Sequence, residues 1–246
     1  MRISGFLLAV LFSLGVHARA GVIYQTGFEP PTYTTGQLQG QDGWFNSTVP
    51  VVETTTVHSG AQAAAFSAVG LVGQNTARHA LSYDSGSDPN GVVQLQAWAF
   101  LSGTGTLSRW DIFAAIGDGG FLAQLLVIGN TARLGTAGFT GNTIVPLAAW
   151  NQFNLDLDFH SQLATAYVNG QLIGQSSFAG TTQHTLTEFA YGMNSLPGTD
   201  QLFLDDLSIT SAVPEPASVI LLLTAVPLVW QRRKLSRMIK TRPAVD

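Results

Sequence analysis

The stretch Trp150–Phe159, Trp-Asn-Gln-Phe-Asn-Leu-Asp-Leu-Asp-Phe, leaves the chain few folds to choose from. Phe153, Leu155, Leu157 and Phe159 fall on one face, and Asn154, Asp156 and Asp158 on the other. Successive side chains of a strand point to opposite faces, whereas apolar positions of a helix recur at roughly every third or fourth residue. An unbroken period of two therefore specifies a half-buried strand. Such a strand needs hydrogen-bonding neighbours on its edges and a second layer over its apolar face.

Other segments repeat the signal. Ala164–Val168 and Gln171–Gly174 flank Asn169-Gly170, a pair that accepts positive φ at both central positions of a type I′ hairpin. Val92–Phe100 alternates, with Val92, Trp98 and Phe100 on one side and Val93, Leu95, Ala97 and Ala99 on the other. Phe121–Ile128 is apolar on both faces and reads as a central strand. Asp111–Ile116 precedes it across a turn at Gly117–Gly120, and Gln201–Thr210 reads as the last strand. No long segment has a 3.6-residue period. The expectation is an all-β, antiparallel, two-sheet domain.

The ends of the chain have a different character. Met1-Arg2, the apolar run Ile3–Val16 and Ala18-Arg19-Ala20 have the order of a secretory signal peptide, residues 1–20, cleaved after Ala20 by signal peptidase. Residues 21–212 form the body. Its cations are Arg78, Arg109 and Arg133, set against thirteen Asp and Glu, a net charge of −10. Such a surface repels nucleic acid and anionic lipid, which both require basic patches. The chain has no cysteine, so an exported domain here relies on its core rather than on disulfides.

After the body comes Val213-Pro214-Glu215-Pro216, then the uncharged apolar run Ala217–Trp230, then Arg232-Arg233-Lys234. The prolines end the preceding element, and a basic cluster after an apolar run stays cytoplasmic. This order resembles the PEP-CTERM sorting signal of exported bacterial proteins. The resemblance assigns residues 213–235 to motif, transmembrane helix and basic cluster. It implies recognition by an exosortase at Val213–Pro216, a membrane-bound intermediate, and delivery to the cell surface or exterior. Residues 236–246 continue as a basic tail with Arg237, Lys240 and Arg242, longer than the family usually carries.

A second resemblance is spread over the body. Trp150 opening an alternating strand, Ala166-Tyr-Val-Asn-Gly-Gln171, and the opening Thr26-Gly-Phe-Glu-Pro30 with Leu38–Trp44 are similar to the concanavalin A-like or LamG-like jelly roll. A galactose-binding-type jelly roll fits the same features, and both are two-sheet antiparallel sandwiches. The resemblance implies a structural calcium tying the first strand to the last through Glu29, Asp205 and Asp206. The plainer reading makes these a solvated group at a sheet edge.

Candidate chemistry is sparse. Glu29, Glu53 and Glu188 are far apart, with none of the closely spaced carboxylates a glycosidase strand carries. Asp156 and Asp158 alternate on one face, which reads first as a solvated outer face and second as the remnant of a catalytic pair. No Gly-x-Ser-x-Gly elbow occurs, and His58, His79, His160 and His184 lack metal-ligand spacing. Sugar stacking needs exposed aromatics beside amides and acids. Trp44, beside Asp42 and Asn46 in a Gly-rich loop, and Trp110, between Arg109 and Asp111, are the ligand-binding candidates, while Trp98 and Trp150 read as core. The sequence thus reads as a non-enzymatic exported surface or matrix protein associated with exopolysaccharide. The alternatives are a lectin-like carbohydrate-binding module or a degenerate glycoside hydrolase.

Overall fold

The computed structural model describes residues 21–45, 49–67, 73–88, 90–103, 109–180, 182–195 and 200–211. Residues 1–20, read above as a signal peptide, the Val213–Pro216 motif, the apolar segment and Arg232, Arg233 and Lys234 lie outside the described residues.

Among the described residues sixteen strands follow in order: β1 (Gly21–Thr26), β2 (Gly36–Gln37), β3 (Trp44–Phe45), β4 (Val51–Glu53), β5 (Ala63–Ser67), β6 (Gly73–Asp84), β7 (Val92–Leu101), β8 (Arg109–Gly117), β9 (Gly120–Ile128), β10 (Thr131–Gly135), β11 (Phe139–Ile144), β12 (Trp150–Asp158), β13 (Leu163–Val168), β14 (Gln171–Ser177), β15 (Thr185–Ser195) and β16 (Gln201–Ser211). They form two antiparallel sheets packed as a sandwich. One has the order β14-β13-β12-β7-β16-β5-β4-β2, with β1 paired to β16 as its ninth strand. The other has the order β11-β10-β9-β8-β15-β6-β3.

The alternation read from the sequence sets which side of each strand is buried. Phe153, Leu155 and Leu157 of β12 join Val93, Leu95, Ala97 and Ala99 of β7 in the core, all fully buried. Leu125 and Val127 of β9 and Phe189 and Tyr191 of β15 cover them from the other sheet. Each such Leu or Phe contributes about 1.5–3 kcal/mol through removal from water. Asn169 and Gly170 both take positive φ, 49° and 76°, and join β13 to β14 as the Asn-Gly pair requires. The strand β9 is interior to its sheet, as an apolar run on both faces demands.

The last strand is less regular than its sequence suggests. Simple alternation would aim one of Asp205 and Asp206 at the core. Instead the register slips between Asp205 and Ser208, and Asp206 adopts φ 47°. Aspartate tolerates this left-handed conformation better than most residues. The bulge lets Leu204 and Leu207 both reach the core while both carboxylates bond the segment at His58 and Ser59.

Candidate functional site

The tryptophans exchange the places the sequence suggested. Trp44 is 1% exposed and Trp110 2%, so neither offers a ring to a ligand. Trp44 packs edge-on against Phe189 and Tyr191, and its Nε1 donates to the Tyr24 and Tyr33 hydroxyls, each at 3.1 Å. Pairing of β3 with β6 carries the Gly-rich loop inward. Trp98 and Trp150, expected in the core, are half-buried on the outer side of the nine-stranded sheet.

The three carboxylates singled out as calcium ligands do come together, though as a clasp. Asp205 is fully buried, and its Oδ2 accepts from the backbone N–H of His58 (3.0 Å) and Ser59 (3.1 Å). Its Oδ1 accepts from the Asp206 amide at 2.8 Å. Burial raises the Asp205 pKa, the three amides pull it back, and the Asp206 charge adds to the rise. Asp206 Oδ2 stands 2.7 Å from His58 Nδ1, and its Oδ1 accepts from Ser59 Oγ at 2.7 Å. Glu29 Oε1 accepts from the amides of Ala61 (2.7 Å) and Gln62 (3.1 Å). A methyl group built at Gly27 would meet Asp206 Oδ1 and the Glu29 side chain at 3.7 Å and Asp205 Oδ1 at 3.9 Å, so all three acids border one small space. By oxygen type and charge they suit calcium. As they stand, amides occupy Glu29, and among the described residues no three His, Asp or Glu are grouped closely enough to hold one ion.

Beside this clasp the outer face of the same sheet carries rows of polar residues. The register puts Ser208, Gln96, Asn154 and Tyr167 in one row across β16, β7, β12 and β13. A second row is Thr210, Gln94, Asp156, Thr165 and Gln175, continuing onto β14. At about 4.8 Å per strand the longer row spans roughly 19 Å. Gln94, Gln96, Asn154, Asp156, Tyr167 and Gly170 line a cavity of about 230 Å³ between these rows. Asn154 Oδ1 is buried beside it without a hydrogen-bond partner among the described residues. Burial raises the Asp156 pKa, and a hydrogen bond with Gln94 lowers it in part. Asp158 is engaged elsewhere, because its Oδ1 accepts from the amides of His160 (2.8 Å) and Ser161 (2.9 Å) and closes the turn after β12.

Aromatic rings border the rows. Trp98 pairs with Gln152 across the strands, and its ring stacks on His58 at 4.1 Å and 15°. Trp150 meets His58 edge-on at 5.3 Å. His58 thereby joins the acidic clasp to the aromatic margin. The domain's three arginines all lie on β6, β8 and β10 of the opposite sheet. The alternation of β12 placed Asn154 and Asp156 outward from sequence alone, whereas the face of β7 that carries Gln94 and Gln96 also carries Trp98, which the sequence assigned to the core. What the sequence could not supply was the pairing that sets these two strands and Tyr167 side by side.

No family model matches the chain, and no curated protein sequence matches it. Among solved structures it is similar to a sialidase, with a TM-score of 0.52 at 8% identity over 80% of this chain and 19% of that one. It is also similar to the cellulose-induced protein Cip1, with a TM-score of 0.49 at 14% identity over 77% of this chain and 97% of that one. For the botulinum neurotoxin serotype G binding domain the TM-score is 0.48 at 12% identity, over 77% and 47%. The chain thus spans nearly all of Cip1, about half of the toxin domain and a fifth of the sialidase. The sialidase likeness agrees with the two-sheet sandwich and is a statement about fold.

Proposed function

We propose that this chain is an exported, non-enzymatic surface protein whose sandwich binds a neutral glycan on the outer face of the nine-stranded sheet. The observation that carries the reading is the cavity between Gln94, Gln96, Asn154, Asp156 and Tyr167, with its unpaired buried acceptor. Sugars offer hydroxyl donors and acceptors together with apolar ring faces. Amides and one carboxylate meet the hydroxyls, and the Tyr167 ring supplies a stacking surface. With no arginine or lysine on this sheet and a body charge of −10, a neutral polysaccharide suits the face better than an acidic one.

The terminal segments complete the reading. Signal peptidase acts after Ala20, Val213–Pro216 addresses the chain to an exosortase, and Arg232, Arg233 and Lys234 hold the apolar segment in the inner membrane until processing. The mature protein then joins exopolysaccharide at the cell surface or in the matrix.

Two experiments test this. Affinity electrophoresis through neutral glucans, mannans and galactans should retard the protein, and Tyr167→Ala should weaken retention about tenfold, near 1.4 kcal/mol. Migration unchanged by every neutral polysaccharide would remove the glycan reading. Intact mass and fractionation from the native host should give a mature C-terminus near Pro214–Pro216 outside the inner membrane only when the exosortase is present. A chain ending at Asp246 in the inner membrane would reduce the tail to a plain anchor.

A further inference from the structure

The polar rows of the nine-stranded sheet end on an apolar side chain. Among the described residues the large apolar side chains left exposed are Val22, Phe45, Phe121, Phe139, Ile144 and Leu172. Leu172 alone of these is the cross-strand partner of a residue that lines the cavity, because it stands opposite Tyr167. The register explains how it gets there. Ala166 pairs with Gly174, so a regular ladder would set Tyr167 against Ile173. Instead the register slips by one residue, Ile173 turns into the core at 6% exposure, and Leu172 joins Tyr167 on the outer face at 55%. A lone exposed leucine is ordinary on a protein surface. This one extends the row Gln96, Asn154 and Tyr167 by one more strand.

On the other side of Tyr167 lies the cavity. Its polar lining is three carboxamides, Gln94, Gln96 and Asn154, and one carboxylate, Asp156. Gln94 is exposed, and Gln96, Asp156 and Tyr167 are half-buried, so the lining opens to solvent. Gln94 bonds the Asp156 carboxylate, which keeps lone pairs for further donors. Thr165 is the partner of Asp156, so Tyr167, two residues on, is its diagonal neighbour at about 7–8 Å. A small planar group lying between the two touches both. No arginine or lysine stands on any strand of this sheet.

We infer that the cavity selects sugars that carry an acetamido group, an inference that rests on the neutral-glycan reading above. An acetamido group combines an N–H donor, a carbonyl acceptor and a methyl in one plane. Asp156 accepts from the N–H, and a carboxamide N–H of the lining donates to the carbonyl. Tyr167 and Leu172 give the methyl an apolar seat. A plain hydroxyl at the same ring carbon meets the polar groups but leaves the Leu172 surface in water. A carboxylated sugar brings a second negative charge to a sheet without arginine or lysine. A free amino sugar suits Asp156 and, like the hydroxyl, has nothing to cover Leu172.

The test titrates the full chain in detergent micelles with pairs of oligosaccharides, equal in length and linkage, that differ in the acetamido group. One pair is built from glucose and N-acetylglucosamine, the other from galactose and N-acetylgalactosamine. In at least one pair the acetylated member should bind at least about tenfold more tightly. Leu172→Ser should weaken that member about fourfold, as expected for about one methyl returned to water, and leave its plain counterpart unchanged. The melting temperature should stay in place, because the side chain is exposed. Plain sugars bound as tightly as acetylated ones in both pairs, or a preference indifferent to Leu172→Ser, would overturn the inference and leave the neutral-glycan reading standing. Binding of no member of either pair would remove both. The pair comparison uses unaltered protein, so it stands even if the variant misfolds.

Discussion

Asp205 is a fully buried carboxylate whose partners are backbone amides rather than an arginine. Replacing it with alanine would take the acceptor from the N–H groups of His58, Ser59 and Asp206 at once. Asp205→Ala should therefore cost about 2–4 kcal/mol, read as a lower urea midpoint. A variant within about 0.5 kcal/mol of the parent would show that the clasp is not structural. Glu29 tests the calcium assignment at the same scale. Because amides already occupy these acids, millimolar calcium should leave the melting temperature of the parent unchanged, and a rise that Glu29→Gln abolishes would restore the ion to the account. The jelly-roll resemblance grouped the acids at the two ends of the domain, and the strand itself showed only that one of Asp205 and Asp206 needs a partner. Their actual partners were not legible, since amides of a loop some 147 positions away leave no mark in composition. Trp44 failed for a related reason. A Gly-rich loop looks exposed until Tyr24 and Tyr33 arrive to accept from its indole.

At the scale of elements, the hairpin β13–β14 is set by two residues. Gly170 has φ 76° and open space around the position of a Cβ, so an added methyl meets only the backbone penalty. Gly170→Ala should cost about 1–2 kcal/mol by urea unfolding, with the register of Tyr167 against Leu172 retained. A neutral effect would mean that the turn relaxes to another type. Hairpin and strand β12 were readable because period two and Asn-Gly are local. The bulge in β16 was not, because it answers a non-local demand: Leu204 and Leu207 must both reach the core while Asp205 and Asp206 both reach the 58–59 segment. The outer rows were half readable. Each strand showed its polar face, but β7 lies next to β12 only through a long-range pairing.

Across the whole molecule, the acids set a pH dependence. Burial foremost raises the pKa of Asp111, Asp156 and Asp205. The folded state holds these protons more tightly than the unfolded chain, so between the ordinary carboxylate range and the raised values stability falls as pH rises. Asp118 is lowered, chiefly by the His184 amide. Asp158 is also lowered: burial pushes it up, but the Ser161 hydroxyl and amide and the His160 amide outweigh that. Their contribution is present above the ordinary carboxylate range and is lost as pH falls through their depressed values. The melting temperature should therefore rise as pH drops through the raised values of Asp111, Asp156 and Asp205 and then turn over in stronger acid. A steady decline from neutrality would show that the buried acids are compensated in a way the structure lacks. The same separation of charge divides the domain into a cation-free face on one sheet and an arginine face on the other. The most direct test of the central claim is an NMR titration of the protein with neutral oligosaccharides, following the side-chain amides of Gln94, Gln96 and Asn154. The account predicts that these three shift together and saturably, and that Tyr167→Ala weakens the effect about tenfold. Saturable binding that leaves them unmoved, or no shifts with any neutral sugar, would contradict it.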